Sequence, residues 1–201
     1  MPASPKAAPP EIASAQALNE AAALNGWPIL CDETCDFTNR ELRNLLAHWH
    51  DEAADGIPVR KALTARKLQP FMRDISIYER IGEGTERRYR LRLLGSGLVQ
   101  YYGELTGKFL DEAVPEEFLP RWYALSDAAI GAGKPLRVLL RADTFDKPYM
   151  VTEYLVAPLK SESGAVKYVL QGGHFDGRRP WSVVEEDARR KLGLPPAGPL
   201  R

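Results

Sequence analysis

Between Arg88 and Leu110 the chain reads RYRLRLLGSGLVQYYGELTGKFL, and this stretch limits the possible folds more than any other. Alternation from Arg88 to Leu93 predicts a strand with Tyr89, Leu91 and Leu93 facing a core and Arg88, Arg90 and Arg92 facing solvent. Gly95-Ser96-Gly97 ends that strand, Leu98 to Tyr102 forms a short apolar helix, and Gly103 and Gly107 bracket a second turn. Two catalytic or nucleotide-binding readings of the glycine turn fail on spacing. A dinucleotide fingerprint needs a glycine where Gln100 stands, and a nucleophile elbow needs glycines where Leu94 and Leu98 stand. Ser96 is a turn residue, and the stretch is a corner at which a sheet strand hands over to short helices.

The segments on either side extend the pattern. Residues 1–12 are rich in Pro and Ala and predict a disordered tail. Residues 13–25 predict a weakly apolar helix, either a dimerisation device or a helix lying on the domain. The next helix is better marked, with Thr38 as N-cap and Glu41 three residues on, Phe37 and Leu42 as a staple, and Leu42, Leu45, Leu46 and Trp49 on one stripe. Ile75 and Ile77 alternate with polar residues in a strand ending near Glu79, and a loop over residues 81–86 joins it to the Arg88 strand. A longer helix follows over residues 116–131, carrying Phe118, Leu119, Trp122, Leu125 and Ala129. Three strands come last, over residues 136–141, 149–159 and 166–175, joined as hairpins. The implied organisation is a tail (1–12), N-terminal helices (13–54), a folded domain (55–178) and a loosely packed C-terminal tail (179–201). Strands at both ends and helices between them specify an α+β fold, a five-stranded antiparallel sheet with helices on one face.

Composition narrows the class. Lys+Arg and Asp+Glu both number 27, so no general attraction to nucleic acid or anionic membrane is expected. No run approaches the ~18 apolar residues of a membrane span, and the first residues lack the apolar core of a signal peptide, so the expectation is a cytoplasmic protein without membrane contact. Cys31 and Cys35, with three residues between them, supply only two of four ligands for a structural zinc and miss redox spacing by one residue. No metal site is predicted.

In order and spacing the corner resembles the PAS fold, in which a short helix, a Gly, a loop and a Gly-Lys pair recur, here at Leu98–Tyr102, Gly103 and Gly107-Lys108. Trp49, Pro58-x-Arg60 with Leu68–Pro70, Tyr89-Arg90-Leu91 before Leu94-Gly95, Leu105-Thr106-Gly107, and Ala157-Pro158-Leu159 before Gly164 are similar to a bacterial, mostly uncharacterised single-domain PAS-like family of about 200 residues; the resemblance covers residues 41–176. It implies a sensory or regulatory module whose sheet and helices enclose a pocket for a small organic ligand. It also implies a homodimer made through the leading helix or the outer sheet face, and a protein partner that receives the signal. The cofactor stays open. Flavin-cysteinyl photochemistry needs a cysteine in an Asn-Cys-Arg run, and no cysteine follows Cys35. Haem is disfavoured because residues 51–173 hold no histidine and His174 lies at the end of a strand.

Most of the inward-facing residues, among them Ile75, Ile77, Leu98, Val138, Leu140 and Val156, are expected to be core. The candidate ligand contacts are Tyr89, Leu91, Tyr102, Trp122, Tyr154 and Gln171; Tyr102, Tyr154 and Gln171 offer hydrogen-bonding tips. Two alternatives carry less weight. A nucleic-acid binder would use Arg88, Arg90, Arg92, Arg137 and Arg141, but no aromatic residues are interleaved on that strand face, and Glu86 and Glu153 oppose the charge. A small pocket enzyme would need Glu153 or Asp143 as base, without a histidine partner or paired carboxylate. The expectation is therefore a non-enzyme with no catalytic residues.

Overall fold

The structure, a computed structural model, describes residues 7–53, 56–141, 150–177 and 179–196, and the backbone alone of Tyr101. Its centre is an antiparallel sheet of six strands: β1 (Ile29–Asp32), β2 (Ile75–Ile81), β3 (Arg88–Leu94), β4 (Leu136–Arg141), β5 (Val151–Lys160) and β6 (Val166–Asp176), in the order β1-β4-β5-β6-β2-β3. The five strands expected from the sequence are β2 to β6. The sixth, β1, is a correction: it pairs with β4, Ile29 opposite Leu140 and Asp32 opposite Arg137, and closes the sheet edge that β4 would otherwise expose.

A second correction concerns the layers, because helices cover both faces rather than one. On the first face lie α1 (Ala15–Asn25), α4 (Ser96–Tyr102), α5 (Leu110–Ala113) and α6 (Leu119–Ala132). There Leu18 and Ala22 of α1 and Trp122, Leu125 and Ala129 of α6 share a core with Tyr78, Leu91, Val138, Tyr154 and Val156. On the second face Leu42, Leu45 and Trp49 of α2 (Arg40–Ala53), with Leu68 of α3 (Ala65–Leu68), pack on Ile75, Ile77, Leu155 and Leu170. Trp181 and Ala188 of α7 (Trp181–Lys191) pack on Leu30, Leu139 and Val151, so the C-terminal segment is docked rather than loose. Burying each of these large side chains is worth about 1.5–3 kcal/mol, which is why two amphipathic helices beyond the central strands are retained.

Ile75 and Ile77 therefore do not share a core with Tyr89 and Leu91. A bulge explains the separation: Ile77 pairs with Leu93 and Tyr78 with Leu91, so Arg92 is the extra residue. Leu93 consequently packs in the α2 layer while Leu91 stays in the α6 layer. The cap of α2 also differs from expectation. Asn39 Oδ1 accepts the Leu42 N–H, the N-cap bond, while the Thr38 backbone N–H and hydroxyl are both given to Glu153. Residues 7–12, assigned to a disordered tail by composition, are held to the β2–β3 hairpin by the Ala8 N–H to Thr85 carbonyl bond and by Glu11 against Arg80. Both surfaces expected to form a dimer are occupied within the chain: the apolar face of α1 is buried on β1 and α6, and the second sheet face carries α2, α3 and α7.

Candidate functional site

The glycine corner is built against the start of β2. The Gly95 N–H bonds the Ile75 carbonyl at 2.8 Å and the Gly97 N–H the Arg73 carbonyl at 2.9 Å. A methyl on Gly95 would stand 2.4 Å from the carbonyl oxygens of both Arg73 and Met72, so the close crossing requires glycine. Gly103, with φ +73, ends α4 in a conformation that other residues rarely adopt. From there the chain returns along the free edge of β3. The Leu91 N–H meets the Lys108 carbonyl, the Gly107 N–H meets the Leu91 carbonyl, and Arg90 pairs with Phe109 as an antiparallel bridge.

Between this returning segment, the β2–β3 hairpin and α6 lies a pocket of about 230 Å³. Its walls are largely apolar, with Leu91, Leu94, Leu105, Val114 and Trp122 prominent, and Tyr78, Tyr102 and Lys108 are its polar members. Of the six sequence candidates, Leu91, Tyr102 and Trp122 line it. Tyr154 stands behind it: its ring meets Trp122 edge-on at 6.3 Å, and burial followed by the neighbouring Tyr102 hydroxyl pushes its own hydroxyl well above the ordinary tyrosine range. Gln171 is buried on the same sheet face, opposite Val156 and Ser76, outside the pocket wall; its side-chain nitrogen has no hydrogen-bond partner among the described residues.

Tyr89 is elsewhere. Its hydroxyl donates to Asp127 Oδ1 at 2.6 Å, and the same carboxylate takes two hydrogen bonds to one oxygen and the other from Arg87, Nη2 to Oδ2 at 2.6 Å and Nε to Oδ1 at 3.0 Å. Burial, then the Asp127 charge and hydrogen bond, raise the Tyr89 hydroxyl far above its usual range. Arg87 is buried although it sits between a loop and a strand, and its remaining donors reach the Gly84 and Pro9 carbonyls. This network is structural: every strong group in it is spoken for by another part of the chain.

A larger cleft, about 510 Å³, opens on the second sheet face between the α2 N-terminus, β4 to β6 and α7. Its fixed floor is Arg137, held between Asp32 (3.0 Å) and Glu153 (2.7 Å). Glu153 also accepts the Thr38 and Asn39 backbone N–H groups and the Thr38 hydroxyl. Burial pushes its carboxyl up, but Arg137 and these N–H donors outweigh it, and the net shift is downward. A carboxylate saturated with donors and held ionised is the reverse of a base raised toward neutrality by an apolar pocket. Asp143, the other candidate base, lies outside the described residues.

The arginines weighed for nucleic-acid binding are engaged within the chain. Arg88 holds Asp111 and Glu112 and lies over the Phe109 ring at 3.6 Å, Arg90 donates to the Gly107 carbonyl, and Arg92 faces Glu79 at 3.5 Å. Among the described residues no group of three or more His, Cys, Asp or Glu side chains is arranged to hold a metal, and no helix is long and apolar enough to cross a membrane. Cys31 and Cys35 are both free thiols.

Sequence reasoning missed the contributions of Lys108, Leu105 and Val114 to the pocket. The signal available was the return of the chain at Gly107, which places whatever follows it against the Leu91 strand.

Against known proteins, no family model and no curated protein matches the chain. Among solved structures it is similar to an RNA-binding light-oxygen-voltage receptor, at 14% identity and a TM-score of 0.39, over 67% of this chain and 38% of that one. The chain thus spans well under half of the receptor's length. The α+β architecture and the antiparallel sheet are consistent with the PAS-like resemblance read from the sequence.

Proposed function

We propose that the chain is a PAS-type sensory or regulatory module that takes a small organic ligand into the pocket beside Trp122 and passes the signal by contact with a partner protein, without catalysis of its own. The observation that carries this reading is the pocket itself: a largely apolar space at the glycine corner, bounded by Leu91, Tyr102 and Trp122, with few polar groups to orient what enters. The larger cleft is a weaker candidate because its fixed groups, Arg137 and Glu153, already satisfy one another.

The pocket is also placed to report on its contents. Two of its walls are α4 and α5, helices of seven and four residues, too short to hold their shape without packing against neighbours. A third wall is Trp122 in the first turn of α6, the helix that packs on β5 and on α1. Filling the pocket changes what those short helices pack against.

Native mass spectrometry of freshly purified protein tests the reading. The expected result is a co-purified small molecule on the wild-type chain that is lost from Ala113→Trp, a substitution that fills the pocket from the half-buried α5 wall. A wild-type chain that carries no small molecule and gains no thermal stability from any member of an organic-ligand panel sinks the proposal, since a ligand at 100 times its Kd stabilises by about 2.7 kcal/mol.

A further inference from the structure

The pocket has one charged side chain in its lining and no acid among its described lining residues: Lys108. Its position follows from register. The bridge pairs Arg90 with Phe109, so the next residue along β3, Leu91, faces Lys108 across the edge. Residues opposite one another in an antiparallel pair project to the same side. Leu91 projects into the pocket layer, and Lys108 therefore projects there too, while Phe109 and Arg90 share the other side, with the Arg90 guanidinium 5.7 Å from the Phe109 centroid.

Lys108 is exposed, which places its ammonium at the mouth and its methylene stem along the apolar wall. No carboxylate forms an ion pair with it among the described residues. The acids nearby have other partners: Glu104 accepts the Thr106 N–H, and Asp111 and Glu112 are held by Arg88. Hydrogen bonds from Thr106, and after them the Leu105 N–H and the Lys108 charge, hold the Glu104 carboxyl below its usual range.

Resting on the pocket reading above, we infer that the ligand is an amphipathic monocarboxylic acid, its carboxylate at the Lys108 ammonium and its apolar part lying between Val114 and Trp122. Size agrees with that class. A cavity of about 150 Å³ takes one benzene ring. At 230 Å³ the pocket admits one substituted ring or a chain of roughly eight carbons, and not a long fatty acid. The inner polar groups do not offer a second ionic site: Tyr78 and Tyr154 have hydroxyls whose pKa is raised by burial, so they stay neutral and suit an ether, ring nitrogen or hydroxyl at most.

Isothermal titration calorimetry with octanoate and its uncharged analogue 1-octanol separates the charge from the apolar part, using the full chain and two variants, Lys108→Gln and Ala113→Trp. The wild type is expected to bind octanoate about five- to tenfold more tightly than 1-octanol, the range of a charge-assisted contact at a partly wet mouth. Lys108→Gln should erase that preference while leaving 1-octanol affinity within about twofold, and Ala113→Trp should abolish both. Equal affinity for the two probes, or a Lys108→Gln chain that keeps the preference, overturns the assignment of an acid and leaves the pocket reading standing. Binding that survives Ala113→Trp overturns both, because the probes are then held elsewhere. No binding of either probe at millimolar concentration overturns the inference alone, and the co-purified mass then decides the pocket reading separately.

Discussion

Replacing Arg87 by Met should be among the most damaging single changes in the chain. The guanidinium is 2% exposed and its partner Asp127 is fully buried in the middle of α6. With Arg87 gone, Asp127 keeps only the Tyr89 hydroxyl, and the Gly84 and Pro9 carbonyls each lose a donor. Breaking one side of a buried pair costs about 3–5 kcal/mol, because a charge is left in the interior without compensation. For a chain of this size each kcal/mol moves the melting temperature by about 2–4 °C, so the expected fall is about 6–20 °C. The pair can nevertheless be replaced as a unit. Arg87→Met with Asp127→Leu and Tyr89→Phe removes the side chains that would be stranded, leaving only the Gly84 and Pro9 carbonyls without this donor, and should recover most of the loss. Urea melts of the single, double and triple variants measure this directly. A coupling energy near zero between positions 87 and 127 would refute the reasoning, since the two effects would then be independent.

Three further outcomes are expected. Glu153 has a lowered carboxyl pKa, so its contribution is complete above the ordinary carboxylate range and is lost as pH falls through its own lower value; urea midpoints of Glu153→Gln should sit about 1–3 kcal/mol below wild type at pH 7 and converge with it in acid. A difference that persists unchanged into acid would contradict the ionised-cap account. Gly95→Ala drives a methyl to 2.4 Å from two backbone carbonyls and should cost about 2–3 kcal/mol, whereas Gly103→Ala meets open space and pays only for its backbone, φ +73 and ψ −179, about 1–3 kcal/mol; a Gly95→Ala chain as stable as wild type in chemical denaturation would show that the corner is not closed against Arg73. Burial, and then the Asp32 charge, push the Cys35 thiol up to about 12, so iodoacetamide at pH 8 should label it far more slowly than an unfolded-chain control, despite its partial exposure.

The parts legible in the sequence are those with a period. The β2, β3 and α6 segments declare themselves because one side of each faces a core and the other a different environment, and the Arg88–Leu110 corner is marked by glycines with distinct steric duties. β1 is illegible for the opposite reason. All four of its residues are buried, so Ile-Leu-Cys-Asp shows no alternation and sits next to Gly26 and Pro28 like the end of a helix. The bulge at Arg92 is invisible because alternation runs straight through it, and only the pairing reveals that Leu93 has changed sides. At α2 two adjacent residues, Thr38 and Asn39, can both cap; the choice is made by Glu153, 115 residues away, which claims Thr38. Nothing local in the sequence distinguishes Arg87 and Asp127, a buried ion pair, from two exposed charged side chains. Contacts made at long sequence separation carry no periodic signature.

The same distinction explains why the smaller cavity is the better site. The groups fixed at the floor of the cleft are mutually satisfied, so a charged ligand engages them only by breaking bonds they already have; at Glu153 that means giving up Arg137, two backbone N–H groups and a hydroxyl, each a charge-assisted contact worth about 1.5–3 kcal/mol. The pocket beside Trp122 asks for no such exchange. Its walls give up only water, at about 25 cal/mol for each Å² of apolar surface covered, and its one lining cation has no carboxylate ion-paired to it among the described residues. It exists because α4 and α5 are joined through glycines at 103 and 107 that turn the chain back along β3, bonding the Lys108 backbone to Leu91 and leaving the Lys108 side chain exposed at the mouth. The glycine corner that turns the chain back along β3 is thus the same feature that opens the space and sets a single charge at its mouth.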